Sequence, residues 1–157
     1  MFETVREAIY KWKLNRKLNC LFTDIYVDNY DDEFHHIDYF MVSGKKLVVV
    51  KYFDYIGNIY GSENITEWTQ TIGHSGFKFK NPLRDLRELV NQIRDKIPEF
   101  DIVQYCMFSD KCNFPKQMPE AVITRSQLLD MLETKIDKHA DIDCEALKQK
   151  LGAVISN

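Results

Sequence analysis

The longest stretch of apolar residues in the chain lies between Asp38 and Gly57. Two runs within it, DYFMV and LVVVKYF, consist almost entirely of β-branched and aromatic residues, and the turn sequence SGKK separates them. Runs that are apolar on both faces lie in the middle of a sheet, where both faces are covered. The pattern therefore predicts two central strands joined by a tight turn.

Helical periodicity is clearest in two other segments. Residues 2–18 carry apolar side chains at a spacing near 3.6, with glutamates early and cations late, which predicts an amphipathic helix. Its apolar stripe consists of Phe2, Val5, Ala8, Ile9, Trp12 and Leu18. Residues 82–97 predict a second helix, which Asn81 caps and Pro82 opens. The remaining pattern predicts strands at 20–27, 58–61, 65–71, 77–80, 100–108 and 121–124, and helices at 125–138 and 143–155.

Together, these elements predict an α/β domain with a mixed central sheet. A chain of 157 residues is long enough to bury a full core without disulfides or metal. We expect the domain to occupy residues 1–138 and a C-terminal helical extension to occupy residues 139–157. The extension is expected to pack either on the domain or on another subunit.

The charge of the whole chain limits its partners. A net charge of −3 and a pI near 5.8 argue against nucleic-acid binding by bulk attraction, although they allow a local basic patch. No apolar run approaches the roughly 18 residues of a membrane span, and the charged start lacks the core of a signal peptide. We therefore expect a cytoplasmic protein without a membrane partner.

Four cysteines, at positions 20, 106, 112 and 144, lie in different predicted elements and lack closely paired spacing. This pattern is typical of reduced, mostly buried thiols in the cytosol. A zinc site formed by Cys106, Cys112 and a histidine is the weaker alternative, since structural zinc normally uses closely spaced ligand pairs.

One charged residue interrupts the second central strand. Lys51 shares a strand face with Val49 and Phe53, because side chains alternate with period two. A charge in a buried strand needs a partner. Asp38, near the start of the preceding strand, is the nearest acidic candidate.

Several short motifs follow one another in a fixed order around this strand pair. They are Ile37-Asp38-Tyr39, the turn at Gly44, Tyr55-Ile56-Gly57-Asn58-Ile59-Tyr60-Gly61, Trp68-Thr69-Gln70 and Asn81-Pro82-Leu83-Arg84, followed by Arg87. From the first helix to about residue 136, the chain resembles the nuclease-related domain, known as NERD. The resemblance implies a restriction-endonuclease-like fold of the PD-(D/E)xK type and a metal-dependent nuclease site.

The chain departs from the family at that site. In an alignment without gaps from Asp38 to Gly57, the family's second acidic residue falls on Lys51 and its lysine falls on Phe53. A hydrolase of this type needs two carboxylates to hold Mg²⁺ and a lysine to orient the attacking water. A shift by two makes Lys51 the family lysine, but Val49 then stands at the acidic position. We therefore expect Lys51 to pair with Asp38 and to replace the ion.

Three further acidic or basic side chains are candidates near the site. The family's first helix can contribute a glutamate, which the resemblance places at Glu3 or Glu7; both also favour the helix dipole without any further role. If any metal binds, Asp38 and Glu7 are its expected ligands. His36, at the entrance of the Asp38 strand, is either a substrate-facing residue or simply a polar residue at the sheet edge.

A phosphate-binding patch is predicted around the second helix. Lys78 and Lys80 share one face of a strand, and Arg84 and Arg87 lie away from the apolar stripe of the helix. These four form the expected nucleic-acid-binding patch, although nearby acidic residues also fit a solvated helix face with ion pairs.

Three functions follow from this sequence. The first is a nuclease-fold domain that has lost hydrolysis, needs no cofactor, and binds DNA, RNA or another protein. The second is an active nuclease with rearranged ligands for Mg²⁺ or Mn²⁺. The third is a structural module that forms homo-oligomers. The altered site favours the first.

Overall fold

The computed structural model describes residues 4–28, 34–43, 46–132, 142–152 and 154–155. Its helices are α1 (Val5–Asn15), α2 (Pro82–Lys96), α3 (Arg125–Met131) and α4 (Cys144–Leu151). Its strands are β1 (Cys20–Asp28), β2 (Phe34–Ser43), β3 (Lys46–Phe53), β4 (Gly57–Tyr60), β5 (Glu67–Ile72), β6 (Ser75–Lys80), β7 (Asp101–Phe108), β8 (Cys112–Asn113), β9 (Val122–Thr124) and β10 (Val154–Ile155). No helix within these ranges is long and apolar enough to cross a membrane.

A mixed six-stranded sheet forms the centre of the fold, as the sequence predicts. Its strand order is β10-β1-β2-β3-β7-β9, so the two apolar runs of the sequence form the central strands β2 and β3. The pairs β1–β2 and β2–β3 are antiparallel, whereas β7 runs parallel to β3 and β9 runs parallel to β7. A smaller sheet has the order β6-β5-β4-β8.

Helices cover both faces of the large sheet. On one face, Val90 and Ile93 of α2 belong to the same apolar cluster as Phe40 and Val49 of the central strands. On the other face, α1 and α3 share a second cluster with Tyr39. Adjacent residues of β2 thus belong to different clusters, because side chains alternate along a strand. This two-sided burial explains the nearly continuous apolar runs.

The α1 helix is present, but most of its predicted apolar stripe does not face the core. Tyr10 and Leu14 are buried, while Val5, Ile9 and Trp12 are exposed. The Tyr10 hydroxyl donates a hydrogen bond to the carbonyl of Arg125 at 2.9 Å, which ties this face of α1 to α3.

Two of the family motifs have structural roles. The Asn81 side chain caps α2 by accepting from the Leu83 N–H at 2.9 Å, and its amide donates to carbonyls of the preceding loop, including Ile65 at 2.9 Å. Trp68 is fully buried and donates from Nε1 to the Ser62 carbonyl. A side chain at Gly61 would overlap the Trp68 ring. Trp68 is therefore a core residue and not a platform for a nucleic-acid base.

The C-terminal segment corrects two expectations. The predicted helix over 143–155 ends at Leu151, because Gly152 adopts a left-handed conformation at its cap (φ 62°), and β10 then pairs with β1. Cys20 and Cys144 form a disulfide, with 5.8 Å between their Cα atoms, so the expectation of four reduced thiols is wrong for these two. Cys106 and Cys112 are buried free thiols. The C-terminal segment thus packs on its own domain.

Candidate functional site

The carboxylate of Asp38 lies where β2 and β3 stop pairing. The backbone ladder between the two strands reaches Tyr39 and Val50. Beyond that point, the Tyr52 N–H donates to Asp38 Oδ2 at 2.7 Å. The side chain of Asp38 thus replaces a backbone acceptor. A hydrogen bond to a carboxylate is stronger than one between neutral groups, so this bond fixes the position of Asp38.

Lys51 lies beside this carboxylate, as the sequence predicts. Its Nζ is 3.8 Å from Asp38 Oδ2, 3.3 Å from His36 Nδ1 and 3.4 Å from the His36 carbonyl. The side chains of Lys51 and Asp38 remain 36% and 19% exposed. The pair therefore lies at the sheet surface, and the expectation of a charge within a buried strand was too strong.

His36 connects this pair to a third strand. Its Nε2 lies 3.1 Å from Asp24 Oδ1, and its Nδ1 lies 3.8 Å from Asp38 Oδ1. Because a carboxylate can only accept, the contact with Asp24 favours the tautomer that carries its proton on Nε2. Nδ1 is then free to accept from the Lys51 ammonium. The four side chains form a chain of contacts in the order Asp24, His36, Lys51 and Asp38.

Sequence reasoning missed Asp24. This residue has a positive φ of 51°, which is uncommon for a residue other than glycine. It interrupts the apolar run of β1, and that interruption is the signal that could have identified it. Its proximity to His36 depends on the pairing of β1 with β2, in which Thr23 pairs with Tyr39 and Ile25 with Ile37.

Glu7 is directed to a different partner. Its carboxylate binds Arg125 Nη1 at 2.5 Å, and it is not among the potential metal ligands of the described residues. The hydrogen bond from Arg125 lowers the pKa of Glu7 below its ordinary value of 4.5. The Arg125 guanidinium also lies 4.0 Å from the centre of the Tyr10 ring. Glu3, the other glutamate considered, lies outside the described residues.

A pocket of about 520 Å³ opens beside this ion pair, at the carboxyl ends of β3 and β7. Glu7 and Arg125 form part of its wall, together with Tyr52, Asp54 and Lys111. Tyr52 thus connects the pocket to the Asp38 carboxylate, because its N–H donates a hydrogen bond to Asp38 and the same residue lines the pocket. Carboxyl ends of parallel strands are a common location for ligand sites in open α/β sheets.

The predicted basic patch lies in a separate part of the described structure. Lys78 and Lys80 are exposed on β6, an edge strand of the small sheet, and Arg84 and Arg87 are exposed on α2. Lys78 donates to Thr69 Oγ1 at 2.8 Å. None of the four lines the pocket. The four cations are therefore accessible to a ligand but do not form one site with Asp38.

A comparison with family models identifies the family of this chain. The model of the nuclease-related domain, NERD, matches residues 3–109, which is more than half of the chain. The chain belongs to the nuclease-related domain family. Comparisons with the curated proteins and with the solved structures gave no match. The mixed sheet with helices on both faces is consistent with the restriction-endonuclease-like fold of NERD domains.

The divalent ion implied by the family does not fit the residues at Asp38. Mg²⁺ requires oxygen ligands. The Lys51 ammonium lies 3.8 Å from Asp38 Oδ2, and the same oxygen accepts the Tyr52 N–H. An ion at this position would have to displace the ammonium or share the carboxylate with it. The site thus already contains a fixed positive charge.

Among the described residues, one group could hold a metal in another arrangement. Asp24, His36 and Asp38 each offer a ligand atom, and these atoms lie within 4.8 Å of one another. His36 presents Nε2 to Asp24 but Nδ1 to Asp38, and Lys51 lies beside Nδ1. A cation that enters this group meets the Lys51 ammonium.

Proposed function

We propose that this NERD domain has lost metal-dependent hydrolysis and acts as a nucleic-acid-binding module. The observation that carries the proposal is the 3.8 Å contact between Lys51 Nζ and Asp38 Oδ2. In a metal-dependent nuclease, the cation at this position holds the scissile phosphate and polarises the attacking water. An ammonium supplies one positive charge but cannot coordinate water as a Lewis acid.

The contacts around Lys51 support a structural role for its charge. Its ammonium is within hydrogen-bond distance of the His36 ring and the His36 carbonyl, and it forms an ion pair with Asp38. Asp24 in turn orients the His36 ring. These contacts join side chains of β1, β2 and β3.

The proposed binding surface is the patch formed by Lys78, Lys80, Arg84 and Arg87. All four side chains are exposed, and neither Lys78 nor Arg84 is in an ion pair within the described residues. Phosphate contacts by such cations release counterions, so binding should weaken steeply as salt increases. A net charge of −3 for the whole chain restricts this attraction to the local patch.

The proposal is tested with labelled single-stranded DNA, single-stranded RNA and duplex DNA, whose fluorescence anisotropy is measured over a salt series in EDTA. We expect salt-sensitive binding in EDTA, and no cleavage of the same substrates when Mg²⁺ or Mn²⁺ replaces EDTA. Lys78→Glu combined with Arg84→Glu should abolish binding and flatten its salt dependence, whereas Lys116→Glu with Lys148→Glu should retain binding.

Unchanged affinity in the Lys78→Glu, Arg84→Glu variant would show that nucleic acid binds to another surface of the protein. No binding by the wild type would contradict the nucleic-acid proposal and favour a protein partner or a homo-oligomer.

A second candidate is a metal-dependent nuclease with rearranged ligands, which the group Asp24, His36 and Asp38 favours. Mg²⁺ or Mn²⁺ would be its cofactor, whereas the first proposal needs none. Cleavage that requires Mn²⁺ and disappears in both Asp24→Asn and His36→Ala would support it. Cleavage that survives both changes would exclude this group as the site.

The location of the protein also remains a proposal. We infer a cytoplasmic protein from the lack of any apolar run long enough to span a membrane. The Cys20–Cys144 disulfide removes the argument from reduced thiols, because structural disulfides are rare in the cytosol. Quantifying the disulfide in protein taken directly from cells tests the compartment.

A further inference from the structure

The outer face of α1 carries a stripe of exposed apolar side chains. Val5, Ile9 and Trp12 are 75%, 48% and 58% exposed. Their spacing of four and three residues places them on one side of the helix, opposite the buried side chains of Tyr10 and Leu14. Single exposed apolar residues are normal, but a contiguous group indicates an interaction surface. We call these three residues the α1 stripe.

Positive charge is concentrated on the same helix and its C-terminal turn. Residues 4–18 contain five cations and a single carboxylate, and that carboxylate, Glu7, binds Arg125. The five are Arg6, Lys11, Lys13, Arg16 and Lys17. The Arg16 guanidinium lies 4.9 Å from the centre of the Trp12 ring. A chain with a net charge of −3 thus has a strongly basic helix that combines cations with an exposed apolar stripe.

The chemistry of this face argues against two kinds of binding partner, a second copy of the chain and nucleic acid. A second copy packed symmetrically on the α1 stripe would bring Lys13 and Arg16 close to their own copies, and like charges repel. Nucleic acid would satisfy the cations but would offer no apolar environment to Val5 and Ile9. Trp12 could stack on a base, yet Arg16 already lies over its ring. The occupant should therefore offer apolar groups and negative charge together.

We propose that the outer face of α1 binds peripherally to membranes that carry anionic lipids. The helix lies in the plane of the membrane surface, the α1 stripe enters the boundary between headgroups and acyl chains, and Lys13 and Arg16 contact lipid phosphates. Trp12 suits this boundary because its ring is apolar and its N–H is polar. The sequence-based expectation of no membrane partner rested on the absence of a spanning run, which a helix at the surface does not need.

The full chain is tested by co-sedimentation with vesicles of phosphatidylcholine, with and without phosphatidylserine. We expect binding only to the vesicles that contain phosphatidylserine. Trp12→Asp and Ile9→Asp should each abolish binding, whereas Phe77→Asp, which changes an exposed aromatic residue on β6, should retain it. Lys13→Gln should lower the partition coefficient roughly five-fold. Lys116→Gln is the matched control and should leave it unchanged.

Fluorescence distinguishes insertion from simple charge attraction. The difference between the emission spectra of the wild type and Trp12→Phe isolates Trp12 from the buried Trp68. This emission should be that of a hydrated indole in free protein and should shift to shorter wavelength on the anionic vesicles. A buried-indole spectrum in free protein would show that the stripe is already covered and would overturn the proposal.

Three other results would also overturn it. They are equal binding of wild type and Trp12→Asp to the vesicles, a dimer in sedimentation equilibrium that Ile9→Asp dissociates, and oligonucleotide binding that Trp12→Asp abolishes. The second result would assign the α1 stripe to another copy of the chain. The third would assign it to nucleic acid.

Discussion

Lys51 and Asp38 face each other across the central strands, with 3.8 Å between Nζ and Oδ2, at the point where the β2–β3 ladder ends. In this NERD domain, the Lys51 ammonium thus places a positive charge beside the Asp38 carboxylate. The energetic consequences of this pair can be measured without any assumption about a substrate.

The coupling between the two side chains should be modest. Both reach solvent, so we expect a double-mutant cycle of Asp38→Asn and Lys51→Met to give about 1 kcal/mol or less, nearer to an exposed pair than to a buried one at about 3–5 kcal/mol. Urea unfolding of the four proteins measures this coupling. Strictly additive free energies would show that the two side chains do not interact.

Removing the carboxylate of Asp38 should cost more than neutralising it. Asp38→Asn retains an oxygen that can accept the Tyr52 N–H, whereas Asp38→Ala leaves this backbone donor without an acceptor in a half-buried position. We expect Asp38→Ala to be less stable than Asp38→Asn by about 1–3 kcal/mol. Equal unfolding free energies for the two variants would show that the hydrogen bond to Tyr52 contributes nothing.

The Glu7–Arg125 pair should make stability depend on pH. The hydrogen bond from Arg125 lowers the pKa of Glu7 in the folded protein below its ordinary 4.5. The contribution of the ionised Glu7 carboxylate to the free energy of unfolding is therefore complete above about pH 4.5. It is lost as the pH falls through the lowered pKa. Because Glu7 is partly exposed, Glu7→Gln should cost only about 1 kcal/mol at neutral pH.

Thermal unfolding of the wild type and Glu7→Gln over a pH series measures this effect. The difference in Tm should shrink towards zero in acid. Glu88→Gln, a change at an exposed position on α2, should show no such trend. A Glu7→Gln difference that stays constant below the lowered pKa would contradict the assigned ion pair.

The Cys20–Cys144 disulfide should stabilise the chain against unfolding. It closes a loop with a sequence separation of 124, and long loops gain most in the chain-entropy model. Cys144→Ser should therefore lower the free energy of unfolding by about 2–5 kcal/mol. Dithiothreitol should lower wild-type stability by a similar amount and leave the variant unchanged. Detection of four thiols in the denatured, unreduced protein would contradict the disulfide, since two are expected.

The sequence predicted the central sheet well because its strands are long and covered on both faces. The runs that became β2 and β3 are apolar at almost every position. In contrast, β8 and β10 contain two residues each, which is too short for any periodicity, so their pairing depends on the completed sheet. The 143–155 helix was predicted too long because one glycine, Gly152, decides its end.

The site was only partly predictable. Asp38 and Lys51 could be paired from the sequence because a two-strand hairpin fixes their register. The contacts of Asp24 with His36 and of Arg125 with Glu7 join residues from separate elements, and only the tertiary fold brings them together. The same applies to the α1 face, where Val5, Ile9 and Trp12 have helical spacing but Tyr10 and Leu14 pack on the sheet. Apolar spacing alone did not identify the face that becomes buried.

The most direct test of the central claim is Mn²⁺ binding, measured by titration calorimetry, in the wild type and Lys51→Glu. The substitution places a carboxylate beside Asp38 and removes the ammonium, so we expect Mn²⁺ to bind Lys51→Glu but not the wild type. Adding Asp38→Asn to Lys51→Glu should abolish the new binding. Mn²⁺ binding by the wild type that is lost in Asp38→Asn would show that Lys51 does not replace the ion.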